Sequence, residues 1–148
     1  MKVVVATTLE QLQQCLSIRK EVFVQEQQVP IELELDQYDE APDPCRHILV
    51  LDGDKAVATG RWRPYENGST TAKLQRIAVR KEYRSSGVGR LLVGALEEDA
   101  MLAGMTKAVL DGQVRVEGFY RKLGYVTVSK EPFLDAGIWH VRMEKPLR

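Results

Sequence analysis

The stretch LQRIAVRKEYRSSGVGRLLVGALEE, residues 74–98, passes from an apolar β-type run to an apolar helical run through a short segment of small and basic residues. Its centre, YRSSGVGR (83–90), holds two serines, two glycines and the arginines at 84 and 90. Before it, TAKLQRIAVR (71–80) reads as a strand. After it, Val88, Leu91, Leu92, Ala95, Leu96 and Ala100 recur at helical spacing, which predicts a helix of about four turns. The start of a helix leaves backbone N–H groups without intrahelical partners and carries the positive end of the helix dipole. Such an end is a ready anion site. Gly87 and Gly89 lack a Cβ and let the backbone approach an anion, and Arg84 and Arg90 can add charge-assisted hydrogen bonds. The spacing R-x-x-G-x-G is neither the dinucleotide fingerprint nor the P-loop. A glycine-rich cap on an ordinary helix has the same look, so the flanking sequence must decide between the two.

Outward from this stretch the chain alternates strands and helices. KVVVA (2–6) is a β-branched run. Thr7 or Thr8 can cap a following helix whose Leu9, Leu12, Leu16, Arg19 and Phe23 share a face, ending near Val24. EQQVPIELELDQYDEAPDPCR (26–46) is rich in proline and carboxylates and predicts a long loop with one short helical turn; long loops of this kind often carry function. HILVLD (47–52), a turn at Gly53-Asp54, KAVATGRWRPY (55–65), a turn at ENGS (66–69) and residues 71–80 form a meander. Beyond the long helix, TKAVLDG (106–112) is a deep strand. RVEGFYRKLGY (115–125) is a short helix capped by Gly124. YVTVSK (125–130) and WHVRMEK (139–145) are closing strands. A meander followed by a β-α-β crossover predicts one α+β domain over residues 1–148, with a single mixed, mostly antiparallel sheet flanked by helices.

Composition narrows the function. Lysine plus arginine equals aspartate plus glutamate, 21 against 21, which argues against general nucleic-acid binding. No stretch approaches the roughly 20 apolar residues of a membrane span, and the N-terminal apolar run is too short for a signal peptide. Cys15 and Cys45 have neither CxxC spacing nor a neighbouring histidine, so no metal site is expected, and the expectation is two reduced thiols in a cytoplasmic protein.

The run LQRIAVRKEYRSSGVGRLLVGALEE resembles the acetyl-CoA-binding core of the GNAT superfamily of acyl-CoA-dependent N-acyltransferases. GFYRKLGY (118–125) resembles that family's second segment, and the order of elements matches its fold. The N-terminal RKEVFVQEQQVP resembles a subgroup of small bacterial members. The resemblance implies that the backbone amides of Arg84, Ser85, Ser86, Gly87, Val88 and Gly89 hold the pyrophosphate of acetyl-CoA. It implies that Ile77, Ala78 and Val79 run beside the pantetheine arm, with a backbone N–H polarising the thioester carbonyl, where an oxyanion develops. The strand TKAVLDG would part from its neighbour to open the slot. Gln113 stands where many members carry asparagine and would give its amide to the cofactor. Ser85 stands where they carry glycine.

Tyr120 matches the family's general-acid tyrosine; otherwise it is a core aromatic beside Phe119. An amine must lose a proton before it attacks, so a base is needed. Glu26, Glu32, Glu34, Asp36, Asp39, Glu40 and Asp43 crowd the long loop, either as solvated charge or as a negative mouth for a cationic amine. Glu26, directly after the helix, is the first choice of base, with His47 an alternative. His140, beside Trp139, reads as a half-buried structural residue, and Trp62 as either acceptor-pocket lining or sheet packing. The leading reading is an acetyl-CoA-dependent N-acetyltransferase acting by direct attack on the primary amine of a small acceptor. The other is a non-catalytic acyl-CoA-binding or sensing domain. The C-terminal edge strands are the expected place for pairing in a homodimer.

Overall fold

Thr8 is extended and caps α1 (Leu9–Arg19): its hydroxyl accepts from the Gln11 amide, and the Gln11 side chain reaches back to the Thr8 amide. This reciprocal cap satisfies two orphan donors. The computed structural model describes residues 1–42 and 45–148. The helix does not stop near Val24 but continues as a π-helical segment, Lys20–Glu26. Its buried stripe is Leu12, Cys15, Ile18, Arg19 and Val22, while Leu9 is exposed. The apolar face is therefore rotated from the one that the leucines suggest, because Cys15 and Ile18 take the inward positions. After a short helix α2 (Ile31–Glu34) and a 3-10 turn at Gln37–Asp39 come the strands β2 (Arg46–Asp52), β3 (Lys55–Pro64) and β4 (Thr71–Val79).

Together with β1 (Lys2–Val5), β5 (Lys107–Gln113), β6 (Val126–Thr127), β7 (Phe133–Asp135) and β8 (Ile138–Pro146), these strands form one sheet in the order β1-β2-β3-β4-β5-β8-β6, with β7 paired to β8. Every pairing is antiparallel except β4 with β5. The crossover between those two strands carries α3 (Val88–Leu102), as a parallel pair requires. The closing region differs from the expected two strands. YVTVSK contributes only β6, and PFLDAGIWH folds into a hairpin of β7 and β8. Ala136 and Gly137 make its turn, both at positive φ. A two-residue turn of this hand needs positive φ at both positions, and alanine at the first hides the signal.

The sheet has a helix on each face. α1 packs Ala6, Cys15, Ile18 and Val22 against Leu49, Ala56 and Ala78. On the other face Val88, Leu92, Leu96 and Ala100 of α3 pack with Trp62, Leu74, Leu110 and Tyr120, the last from α4 (Glu117–Lys122). Leu92 and Leu96 have no exposed surface, and each such burial stabilises the fold by about 2 kcal/mol. The two cysteines are separate buried thiols, raised by burial, Cys45 to about 11.

Two local events shape the middle of the sheet. First, β4 bulges. Thr59 pairs with Ala78 but Arg61 pairs with Gln75, so β4 carries one residue more than β3 there, and Arg76 sits at φ 55°. An extra residue inverts the alternation of side chains. Accordingly Ala72 and Leu74 face α3, whereas beyond the bulge Ala78 faces α1 and Ile77 and Val79 join the α3 side. Second, β4 and β5 part company. Their parallel ladder runs from Thr71/Lys107 to Leu74/Leu110 and ends, although both strands continue to Val79 and Gln113. The sheet is therefore split open along its lower half.

Candidate active site

The split is the floor of a cleft of about 680 Å³. Ile77, Ala78 and Val79 line one side, Leu110, Gly112 and Gln113 the other. The start of α3 closes one end, and Tyr120 lines the interior. A Cβ on Gly112 would stand 3.1 Å from the Tyr120 ring. Glycine at 112 thus lets the tyrosine lie directly on β5. Phe119 and Tyr125 hold that ring edge-on, with centroids 5.1 and 5.9 Å away. Burial pushes the Tyr120 phenol well above the usual tyrosine range, so it keeps its proton and is a donor at neutral pH. Gly124 follows α4 at φ 100°, and the Tyr125 amide bonds back to the Tyr120 carbonyl, which fixes where the helix delivers this side chain.

The loop before α3 is built from the quoted segment. Ser85 has φ 65° and Gly87 φ 88°. The Ser86 hydroxyl donates to the Tyr83 carbonyl. Among the described residues the backbone amides of Ser85, Ser86, Gly87, Val88, Gly89 and Arg90 donate to no protein acceptor; the first amide of this turn to do so is Leu91, to Gly87. Successive amides left open at the positive end of a 15-residue helix form an anion cradle. Gly89 has a second use. A Cβ there would stand 3.2 Å from Phe119 Cζ, so its smallness lets α3 and α4 close together.

The sequence model of the acetyltransferase (GNAT) family matches residues 10–125. The chain belongs to this family. It is 43% identical over 145 residues to an uncharacterized N-acetyltransferase, YjcF, of Bacillus subtilis (strain 168), which spans 98% of this chain and 99% of that one. Escherichia coli ElaA is similar in structure, with a TM-score of 0.85 and 25% identity over 97% of this chain and 98% of its own. So is an acyl-CoA N-acyltransferase of Pseudomonas aeruginosa, with a TM-score of 0.83 and 26% identity over 97% and 98%. A GNAT fold with acyl-CoA as donor fits the observed cleft. The cradle offers amides for a pyrophosphate, and the open ladder offers backbone along a pantetheine arm.

This GNAT chain arranges its charged groups differently from the expected acidic mouth. Arg19 and Arg61, each 1% exposed, reach into the long loop and draw its carboxylates inward. Arg19 Nε donates to Glu34 Oε2 at 2.6 Å, and its two terminal nitrogens donate to Asp39 at 2.5 and 3.0 Å. Arg61 donates to Asp36 at 2.6 and 2.9 Å and to Asp39 at 2.9 Å. Arg76, at the bulge, donates to the Glu34 carbonyl. Burial alone would raise Asp36, but hydrogen bonds and charge from Arg61 outweigh it and bring the carboxyl to about 2. Glu34 lies in the same cluster, yet its burial prevails over Arg19 and Arg76 and raises it. The loop is thus pinned to the sheet by paired charge: Asp36 and Asp39 are not among the residues lining the cleft, whereas Glu34 lines it while paired with Arg19 and Arg76. Asp43 lies outside the described residues.

The other candidate bases are placed as follows. Glu26 ends the π-helical segment and is held by Arg84 of the cradle, 2.8 Å away. It is not among the side chains lining the cleft. His47 is 1% exposed and its Nε2 donates to the Tyr38 carbonyl at 2.9 Å. Burial lowers it, and it is a structural residue under the loop. Trp62 packs in the core with its indole N–H donating to Asp99 at 2.7 Å, so of its two readings sheet packing holds. Gln113 does reach the cleft, but its carboxamide donates to Gln27 at 2.9 Å and accepts from Arg115 at 3.0 Å, spanning from β5 to the end of the π-helical segment. His140, which the sequence reads as a half-buried structural residue, is half-buried. It lines the cleft beside Asp135 and Ile138, on a hairpin whose first strand was not foreseen.

Proposed function

We propose that this protein is an N-acetyltransferase that moves the acetyl group of acetyl-CoA to the primary amine of a small acceptor by direct attack. The observation that carries the reading is the unsatisfied amide cradle at the mouth of a split sheet, with a protonated tyrosine on the slot. In this reading the amides from Ser85 to Gly89 hold the pyrophosphate; the Arg84 amide, expected to join them, already donates to the Lys81 carbonyl, and the Arg84 side chain exchanges Glu26 for phosphate oxygens. Gln113 exchanges Gln27 for the pantetheine arm. Backbone at Ile77, Ala78 and Val79, on the strand edge that has lost its β5 partner, orients the thioester and stabilises the oxygen that gains charge. Tyr120 gives its proton to the departing sulfur. Cys15 and Cys45 are buried, and neither lines the cleft, so no acyl-cysteine is drawn into the scheme.

The test is thermal melting with acetyl-CoA, followed by release of free thiol across a panel of small primary amines. Acetyl-CoA should raise the melting temperature, and Gly87→Glu, which sets a carboxylate and a strained backbone in the cradle, should abolish the shift. No shift at millimolar cofactor refutes the reading. A shift without turnover of any amine refutes the catalytic half of it.

A further inference from the structure

We propose that His140 is the base that takes the amine proton, acting from the face of the sheet opposite Tyr120. The inference rests on the acyltransferase reading above. Adjacent residues of a strand point to opposite faces. Gly112 points at the Tyr120 ring, so Gln113, the next residue, points the other way. His140 stands directly across the ladder from Gln113 and shares its face, the side of α1 and the long loop. Acid and base therefore flank the end of one strand from its two sides, with the slot between β4 and β5 running between them. A thioester threaded through that slot is attacked from one side and loses its sulfur to the other.

The ring itself is set up for the role. His140 Nδ1 lies 2.7 Å from the Ile138 carbonyl oxygen. A carbonyl only accepts, so Nδ1 carries a proton and the lone pair of the neutral ring is at Nε2. Among the described residues Nε2 has no hydrogen-bond partner. Phe133, the register partner of His140 across the hairpin, stacks on the imidazole at 6.2 Å and 23°, which fixes the ring plane. Asp135, Gln113 and Arg115 line the same end of the cleft, and Asp111 beside them is ion-paired to Arg142 and Lys73. Glu26, by contrast, is not among the side chains that line the cleft.

The free amine forms the C–N bond to the acyl carbon and gives an N–H proton to His140 Nε2. The C–S bond breaks, and the sulfur takes the proton of the Tyr120 hydroxyl. The imidazolium and the phenolate return to their starting states through solvent. An acceptor that arrives as an ammonium first releases one further proton to water.

Two measurements decide the matter. The chain has two histidines, and the structure gives them opposite tautomers: His47 with its proton on Nε2, His140 with its proton on Nδ1. Long-range proton–nitrogen spectra of histidine-labelled protein at about pH 8, where imidazoles are neutral, should show one of each, and His140→Ala should remove the Nδ1–H signal. An Nε2–H tautomer for His140 overturns the proposal. In turnover with an amine accepted from the panel, His140→Ala should lower kcat by about 100-fold or more. Added imidazole should restore part of it, and the acetyl-CoA-induced melting shift should stay intact. A variant within about twofold of wild type overturns the proposal, whatever the spectra show. Failure of the underlying acyltransferase reading looks different, because wild type itself then shows no melting shift, or a shift without turnover of any amine.

Discussion

Arg19→Met tests whether the long loop is held by buried charge. The substitution keeps an unbranched side chain on the buried face of α1 and deletes the guanidinium that touches Glu34, the Glu34 carbonyl and Asp39 at 2.5 to 3.0 Å. Asp39 keeps Arg61, and Glu34 keeps only the more distant Arg76 at 3.4 Å. Removing one partner of a buried pair strands charge away from water and costs about 3–5 kcal/mol. For a chain of this size that corresponds to a melting temperature lower by roughly 10 °C. The sign of the pH dependence follows from the same geometry. Asp39 is held below its ordinary value against its burial, chiefly by Arg19. Its contribution is therefore present above the unfolded carboxylate pKa and lost as pH falls. The variant lacks most of that contribution, and its stranded carboxylates take up protons more readily. The gap between variant and wild type should shrink from pH 7.5 to about pH 3, below the unfolded carboxylate pKa, read by urea denaturation at each pH. A loss below about 1 kcal/mol, or one that is equal at both pH values, refutes the argument. Arg19 sits on the opposite face from the α3 cradle, so the acetyl-CoA melting shift should survive wherever the variant is folded.

Tyr120→Phe removes the only polar atom of that side chain and should lower kcat by about 10- to 100-fold with little change in KM; unchanged turnover removes Tyr120 from the acid role. Ser85, at φ 65°, should accept glycine with a change in stability of under about 1 kcal/mol. Ser85→Val puts a β-branched residue in left-handed backbone and should lose about 1–2 kcal/mol together with the acetyl-CoA melting shift. Asp36→Asn should flatten the acid limb of unfolding. The carboxyl at about 2 contributes roughly 2 kcal/mol that is fully present above pH 4 and fades between pH 4 and 2. Chemical denaturation across that window should show a shallower slope in the variant.

The donor half of the site was legible in the sequence because its chemistry is local. A glycine-rich turn between a strand and an apolar helix builds the cradle from adjacent residues, and Ser85 to Gly89 stand at the start of α3 as the pattern predicts. The acceptor half depends on contacts between residues far apart in sequence. The carboxylates of residues 34, 36 and 39 read as either solvated loop charge or a negative mouth because nothing near them in sequence is basic. Their partners, Arg61 and Arg76, come from strands β3 and β4, and Arg19 looked like the one blemish on an apolar helix face. The strand β7 escaped because Ala136 is a poor signal for a positive-φ turn, and with it went the register that turns His140 into the cleft.

The bulge at Arg76 joins the two halves. One extra residue in β4 does three things at once. It reverses the faces of Ile77, Ala78 and Val79, so the strand bordering the donor slot presents different side chains above and below the bulge. It lies just past Leu74, where the β4–β5 ladder ends. And it turns the Arg76 guanidinium toward Glu34 and the Leu33 and Glu34 carbonyls of the acceptor loop. A non-glycine residue in left-handed backbone is strained by about 1–2 kcal/mol, and here those polar contacts offset the strain. The long loop and the strand that borders the cleft are thereby fastened at a single residue. Loss of Arg76 should therefore disturb both.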